Sequence, residues 1–256
     1  MIEYGVYGYN LTDAYHEALK ALWKRGEEVP CPDYNTSQKE ISLTMMVHNP
    51  LAEPMISRLF IGGYRELEQY RQEMLDGILD FEIERGNWAY TYHDRIAKQI
   101  PFIISELRRN PYSRRAVIVV RDWEYDSKST DPACLQHIQY FVRDNKLHCK
   151  VMMRSNDACK ATFMNAFAFI MLQKRIADEL CYEIGTYTHR ANSFHCYAAD
   201  YNLLEGYVKR YESGEETTYS YVDEWQELME EAKPDIEKMV EELRSHKTEP
   251  YVDERR

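Results

Sequence analysis

Two strand-like runs, 135–143 and 146–154, are separated by only two residues, Asp144-Asn145. So short a connection permits an antiparallel hairpin and little else. Side chains alternate along a strand, so Leu147, Cys149, Val151 and Met153 share one face while His148, Lys150 and Met152 share the other. The chain must therefore build a sheet with at least one buried face, and Cys149 is read as a packing residue. Residues 162–180, with Phe163, Phe167, Ile170, Met171, Ala177 and Leu180, predict a core helix to cover such a face.

The remaining segments fit around this pair. Residues 11–24 have helical spacing (Leu11, Tyr15, Leu19, Leu22), and 96–108 form an amphipathic helix ended by Asn110-Pro111. Residues 56–79 read as one helix, or as two divided at Gly62-Gly63. Residues 27–39, with Pro30 and Pro32, read as a loop. Residues 41–47 read as a strand, and 116–120 as a short apolar strand of the buried kind. Residues 185–197, rich in Tyr, Thr, His and Asn, read as a short strand and loop. Residues 222–244 read as an acidic helix pair broken at Pro234, and 245–256 as a frayed end. Strands and helices intersperse without βαβ regularity, which predicts an α+β fold with a mostly antiparallel or mixed sheet covered by helices. With no linker and no repeat, 1–256 is expected to be a single domain.

Charge narrows the partners. The net charge is −11, so a broad nucleic-acid or acidic-membrane surface is not expected. Against that background Arg108, Arg109, Arg114 and Arg115 form a conspicuous basic cluster. No stretch approaches a membrane span. Met1-Ile2-Glu3-Tyr4-Gly5 has no signal-peptide character, so a cytoplasmic location with reduced thiols is expected for the six cysteines. None forms a C-x-x-C pair, and no metal site is expected.

Several groups could carry chemistry. Cys134 stands in Asp131-Pro132-Ala133-Cys134 ahead of the first hairpin strand, and a nearby arginine would favour its thiolate. Arg114 and Arg115 are either a solvated pair at a strand end or a phosphate clamp. Arg154-Ser155-Asn156-Asp157 is either a turn with Asx capping or a set of phosphate and carboxylate ligands. Asn165, amid Phe and Met, is either a late helix cap or an amide able to pair with O4 and N3–H of a uracil. His195 and Tyr197 share a strand face, either as core-edge polar groups or as ligands for sugar hydroxyls.

Taken in order, these segments resemble the thymidylate synthase and pyrimidine hydroxymethylase superfamily, especially its short archaeal-type synthases. The family's Pro-Pro-Cys is matched by Pro132-Ala133-Cys134, its Arg-Ser-x-Asp by Arg154-Ser155-Asn156-Asp157, and its asparagine by Asn165. Its His-x-Tyr falls on His195 and Tyr197, and its Ser-Arg-Arg on Ser113-Arg114-Arg115. The resemblance implies a folate-dependent one-carbon transferase acting on a pyrimidine nucleoside 5′-monophosphate, most simply dUMP to dTMP. Cys134 would add to C6. Arg154 and Ser155 would hold the phosphate, with Arg114 and Arg115 donated by the partner of a homodimer built on a sheet face. Asn165 would read the base, and His195 and Tyr197 would bind the sugar. Asp157 would contact the folate, 5,10-methylenetetrahydrofolate, or order the pocket. Tyr90 would assist C5 proton removal, and Glu53 would be the buried glutamate.

The departures are informative. Ala133 replaces a proline, and Leu135 stands where many members have histidine. Asp33-Tyr34-Asn35-Thr36 lacks the arginine of the family's N-terminal loop, and the end Tyr251-Val252-Asp253-Glu254-Arg255-Arg256 lacks the apolar lid. Without a lid water could reach the one-carbon adduct, as in a hydroxymethylase acting on dUMP, dCMP or CMP; Asn165 instead favours uracil. A non-catalytic nucleotide-binding regulator is a further alternative.

Overall fold

In the computed structural model, which describes residues 3–245, the Asp144-Asn145 hairpin forms the middle of a sheet. In chain order the elements begin with β1 (Glu3–Gly8), α1 (Leu11–Arg25), β2 (Glu27–Cys31), β3 (Thr36–Val47), β4 (Ile56–Ser57) and α2 (Tyr64–Asp76). Then come α3 (Phe81–Glu84), α4 (Tyr92–Ala97), α5 (Ile100–Arg109), β5 (Val117–Val119), α6 (Trp123–Asp126), β6 (Leu135–Arg143) and β7 (Lys146–Asp157). The chain continues through α7 (Thr162–Leu180), β8 (Glu183–Tyr197), α8 (Tyr201–Glu212), β9 (Thr218–Tyr219) and α9 (Gln226–Ser245). The seven-stranded sheet runs β1-β3-β8-β7-β6-β5, with β2 also on β3. The β1–β3 and β7–β8 pairs are parallel and the other pairs antiparallel, so the fold is α+β with a mixed sheet.

The turn explains the hairpin. Asp144 (φ 52°) and Asn145 (φ 59°) both take left-handed conformations, which Asp and Asn tolerate better than other side-chain-bearing residues and which match the twist of the two strands. Leu147, Cys149, Val151 and Met153 are buried, as their alternation predicts. α7 spans the predicted residues and packs on β7 and β8. The other sheet face, carrying Tyr7, Met46, Phe141, Lys150, Met152 and Arg190, is left partly or fully exposed.

Six expectations need correction. Residues 27–39 are not a loop: β2 pairs with β3 around a turn at Asn35 (φ 50°). Pro30 is tolerated because β2 pairs on one side only. In 56–79 helix begins only after Gly63, whose N–H donates to Glu66 Oε2 (2.8 Å). The 96–108 helix is split, with α5 starting just before Pro101. β5 is an edge strand and not a fully buried one, since Val119 is 55% exposed. Residues 183–197 form one long interior strand, and Pro234 lies inside a continuous α9 on its exposed side, where water can solvate the carbonyl it leaves unpaired. The expected frayed end and the departure at 251–256 lie outside the described residues, except Ser245, which closes α9.

Candidate active site

Cys134 precedes β6, and β7 beside it supplies Arg154. The Arg154 N–H donates to Cys134 O (2.8 Å), Nε to Ala133 O (3.2 Å) and Nη2 to Pro132 O (2.6 Å). The side chain thus holds two consecutive carbonyls and the backbone N–H a third, and together they fix the thiol's loop. Nη1 has no protein partner among the described residues. Cys134 is half-buried, and that burial pushes its thiol up; Arg154 opposes the shift and Asp131 reinforces it. The expectation that arginine alone would favour the thiolate is therefore corrected: burial wins. Tyr92 stands on the other side, its hydroxyl accepting from Leu135 N–H (3.3 Å).

The ends of β7 and β8 run in parallel register, pairing Ser155 with Ser193 and Asp157 with His195. Ser155 Oγ lies 3.4 Å from His195 Nδ1, and the His195 and Tyr197 rings meet edge-on at 4.9 Å. Tyr34, from the loop lacking the family arginine, leans on Tyr197 at 5.4 Å. Asp157 Oδ1 accepts from Cys159 and Lys160 N–H (both 2.9 Å), so its Asx-turn reading holds for that oxygen.

A cleft of about 1210 Å³ opens beside the Cys134 loop, lined by Tyr70, Glu73, Trp88, Tyr90, Tyr92 and Asp131 among others. Arg95 stacks 4.0 Å over Tyr90 and forms a bidentate pair with Asp126 (2.9 Å to each oxygen), which fixes the wall. Burial raises the Glu73 carboxyl, partly offset by a hydrogen bond from Gln69 (2.8 Å). Burial also pushes Tyr90 up to about 12. Asn165 is buried, accepts from Asn156 Nδ2 (2.9 Å) and donates to the Tyr70 hydroxyl.

Three of the expected site residues lie away from Cys134 within one protomer, as expected for Arg114 and Arg115 but not for Glu53. Glu53 is not brought to the cleft: its carboxylate accepts from Met55 (2.9 Å), Tyr221 (2.9 Å) and Val222 (3.0 Å) N–H and anchors the chain ahead of α9. Arg114 and Arg115 are exposed and remote from Cys134 within one protomer. Arg114 O accepts from Gln139, five residues along β6 from Cys134, or roughly 17 Å at strand spacing. Arg115 pairs with Glu106 (3.2 Å).

Sequence reading missed Tyr70, Glu73, Tyr92 and the buried Asn156. Tyr92 carried a weak signal in the aromatic run 88–92. Glu73 carried none, being one acid of several on α2.

Known proteins resemble this chain in sequence and fold over most of its length. A family model described as thymidylate synthase matches residues 66–247. A provisionally assigned thymidylate synthase of Methanocaldococcus jannaschii is 31% identical over 212 residues, covering 79% of this chain and 93% of that protein. Thymidylate synthase 1 of Bacillus subtilis is 28% identical over 160 residues, covering 60% and 56%. The solved structure of thermostable thymidylate synthase A from Bacillus subtilis matches with TM-score 0.66 at 17% identity, covering 82% of this chain and 86% of that one, which shows the shared fold. From the arginine-clamped cysteine loop to the extent of these matches, the chain belongs to the thymidylate synthase family.

Proposed function

We propose that the protein methylates dUMP at C5 to give dTMP. The observation that carries this reading is the Arg154-held Cys134 loop beside a cleft walled by Tyr70, Tyr90, Tyr92 and Glu73. Cys134 adds to C6 of the ring, and the sulfur–carbon bond places electron density on C5. Burial holds the resting thiol protonated, so Arg154 lowers the cost of ionising it at the moment of attack. Arg154 Nη1 and Ser155 hold the 5′-phosphate, His195 and Tyr197 the sugar, and Asn165 the base edge. Glu73, whose carboxyl is raised by burial, is suited to move the C5 proton. Tyr90 stays protonated and orders the path.

The cleft suits 5,10-methylenetetrahydrofolate. At about 1210 Å³ it exceeds the roughly 300–1,000 Å³ of a single-ligand pocket. Leu79, Ile83, Trp88 and Tyr90 offer apolar faces for a pterin ring, and Asp157 lies at the end of β7 to meet its polar edge. When bound, the folate supplies the one-carbon unit and the reducing hydride.

The site needs a second copy of the chain. Arg114 and Arg115 are exposed and cannot reach Cys134 in their own protomer. A homodimer joined across the open sheet face would let them complete the partner's phosphate site. The unpaired state of all six cysteines fits action in the reducing cytoplasm. No helix among the described residues is long and apolar enough to cross a membrane.

Incubation with dUMP and methylenetetrahydrofolate is expected to give dTMP and dihydrofolate, read by mass spectrometry and absorbance. A hydroxymethyl nucleotide without dihydrofolate would overturn the methylase assignment in favour of a hydroxymethylase.

A further inference from the structure

Behind Asn165 runs a buried chain of hydrogen bonds that the proposed chemistry does not use. Tyr187 and His189 Nδ1 are 2.8 Å apart, His189 Nε2 and Asn156 Oδ1 2.8 Å, and Asn156 Nδ2 and Asn165 Oδ1 2.9 Å. Asn165 Nδ2 then donates to Tyr70, which lines the cleft. Tyr187, His189, Asn156 and Asn165 are all buried. Burial lowers His189 to about 4, so the ring is neutral and carries one proton.

A primary amide turned through half a revolution exchanges donor and acceptor with almost no change in shape. A 4-oxo pyrimidine presents O4 and N3–H; a 4-amino pyrimidine presents the opposite pattern. The orientation of Asn165 is therefore a choice of base. Its tie to Asn156 and Tyr70 occupies one N–H and one lone pair, leaving one of each for a ligand.

The far end of the chain sets the direction. Among the described residues the Tyr187 hydroxyl has no hydrogen-bond partner but His189, so it must donate to Nδ1. That places the ring proton on Nε2, which donates to Asn156 Oδ1. Asn156 must then present Nδ2 to Asn165 Oδ1, and Asn165 must turn its own Nδ2 toward Tyr70. Running the chain backwards would leave the Tyr187 proton buried without an acceptor, which disfavours that state by a factor of about ten or more.

We propose that Tyr187, His189 and Asn156 are positioning residues that hold the Asn165 amide in one orientation and so select a 4-oxo over a 4-amino pyrimidine. This rests on the assignment of Asn165 to the base. Tyr187→Phe removes the terminal donor while keeping the ring. Asn156→Asp, ionised at about pH 8, can only accept, so it forces the Asn165 amide to turn round.

The test is the ratio of dUMP to dCMP dissociation constants, measured by calorimetry on the folded full chain. The wild type is expected to favour dUMP. Tyr187→Phe should erode that preference by about tenfold, and Asn156→Asp should erode it further, chiefly by improving dCMP binding. If Tyr187→Phe does not fold, Asn156→Asp decides. A role confined to packing would weaken both nucleotides alike. A wild type that prefers dUMP, with an unchanged ratio in the variants, overturns this inference and leaves the proposed function standing. A wild type that binds neither nucleotide overturns both.

Discussion

Arg154 touches three carbonyls of the Cys134 loop, and only a planar guanidinium can fork across Pro132 O and Ala133 O while keeping Nη1 free. Arg154→Lys keeps the charge but loses the fork. It is expected to lower kcat by about 100-fold, because a displaced nucleophile forfeits its alignment, and to raise the KM for dUMP; steady-state kinetics reads both. Glu73→Gln is expected to lower kcat by roughly 10²–10⁴ with dUMP binding retained. The same substitution at Glu53 should act on stability instead, through the lost anchoring of residues 221 and 222. At this scale the sequence was legible where spacing is rigid. Cys134, just ahead of β6, and Arg154, on β7, do border one another, and Asn165 stands in α7. The glutamate was illegible because α2 carries several acids and only tertiary packing buries Glu73.

Among the elements, the hairpin turn shows sequence acting directly on backbone geometry. Asn145→Gly is expected to be neutral or slightly stabilising, since glycine takes φ near 59° without a Cβ penalty. Asn145→Ile should cost about 1–2 kcal/mol or more, because a β-branched residue resists that conformation. Urea denaturation of the two variants gives the comparison. Strong alternation made β7 readable, and the run of Phe, Ile and Leu made α7 readable. β8 was not readable as one strand because it is an interior strand with a polar outer face and a site-bearing end. Thr186 and Thr188 break its apolar alternation at one end, and His195 and Tyr197 at the other. β2 was hidden by Pro30, which a strand paired on one side accepts.

For the whole molecule, the open sheet face and the remote arginines make assembly the main question. Mixing inactive Arg115→Ala with inactive Cys134→Ser is expected to restore activity, because one mixed dimer site then holds both a native Cys134 and a native Arg115. Stability should also depend on pH through two buried histidines. Burial lowers His16 and His189 to about 4, against 6.5 for an ordinary histidine. Between those values the unfolded chain binds protons that the folded chain excludes. Stability is therefore full above about pH 6.5 and falls as pH drops toward 4, by on the order of 3 kcal/mol for each histidine. Thermal melts at pH 7 and pH 4.5 should show the loss, and a smaller one in His16→Gln. The sheet-and-helix class was legible from the hairpin and the core helix; which sheet face stays open was not, because Lys150 and Arg190 stand there among Met46, Phe141 and Met152.

The central claim is that Cys134 activates C5 of a pyrimidine nucleotide by adding to C6. Release of tritium from C5-labelled dUMP in the presence of methylenetetrahydrofolate measures that step directly. The account predicts release by the wild type and its near-complete loss in Cys134→Ser; release at the wild-type rate in that variant, or none in the wild type, would contradict it.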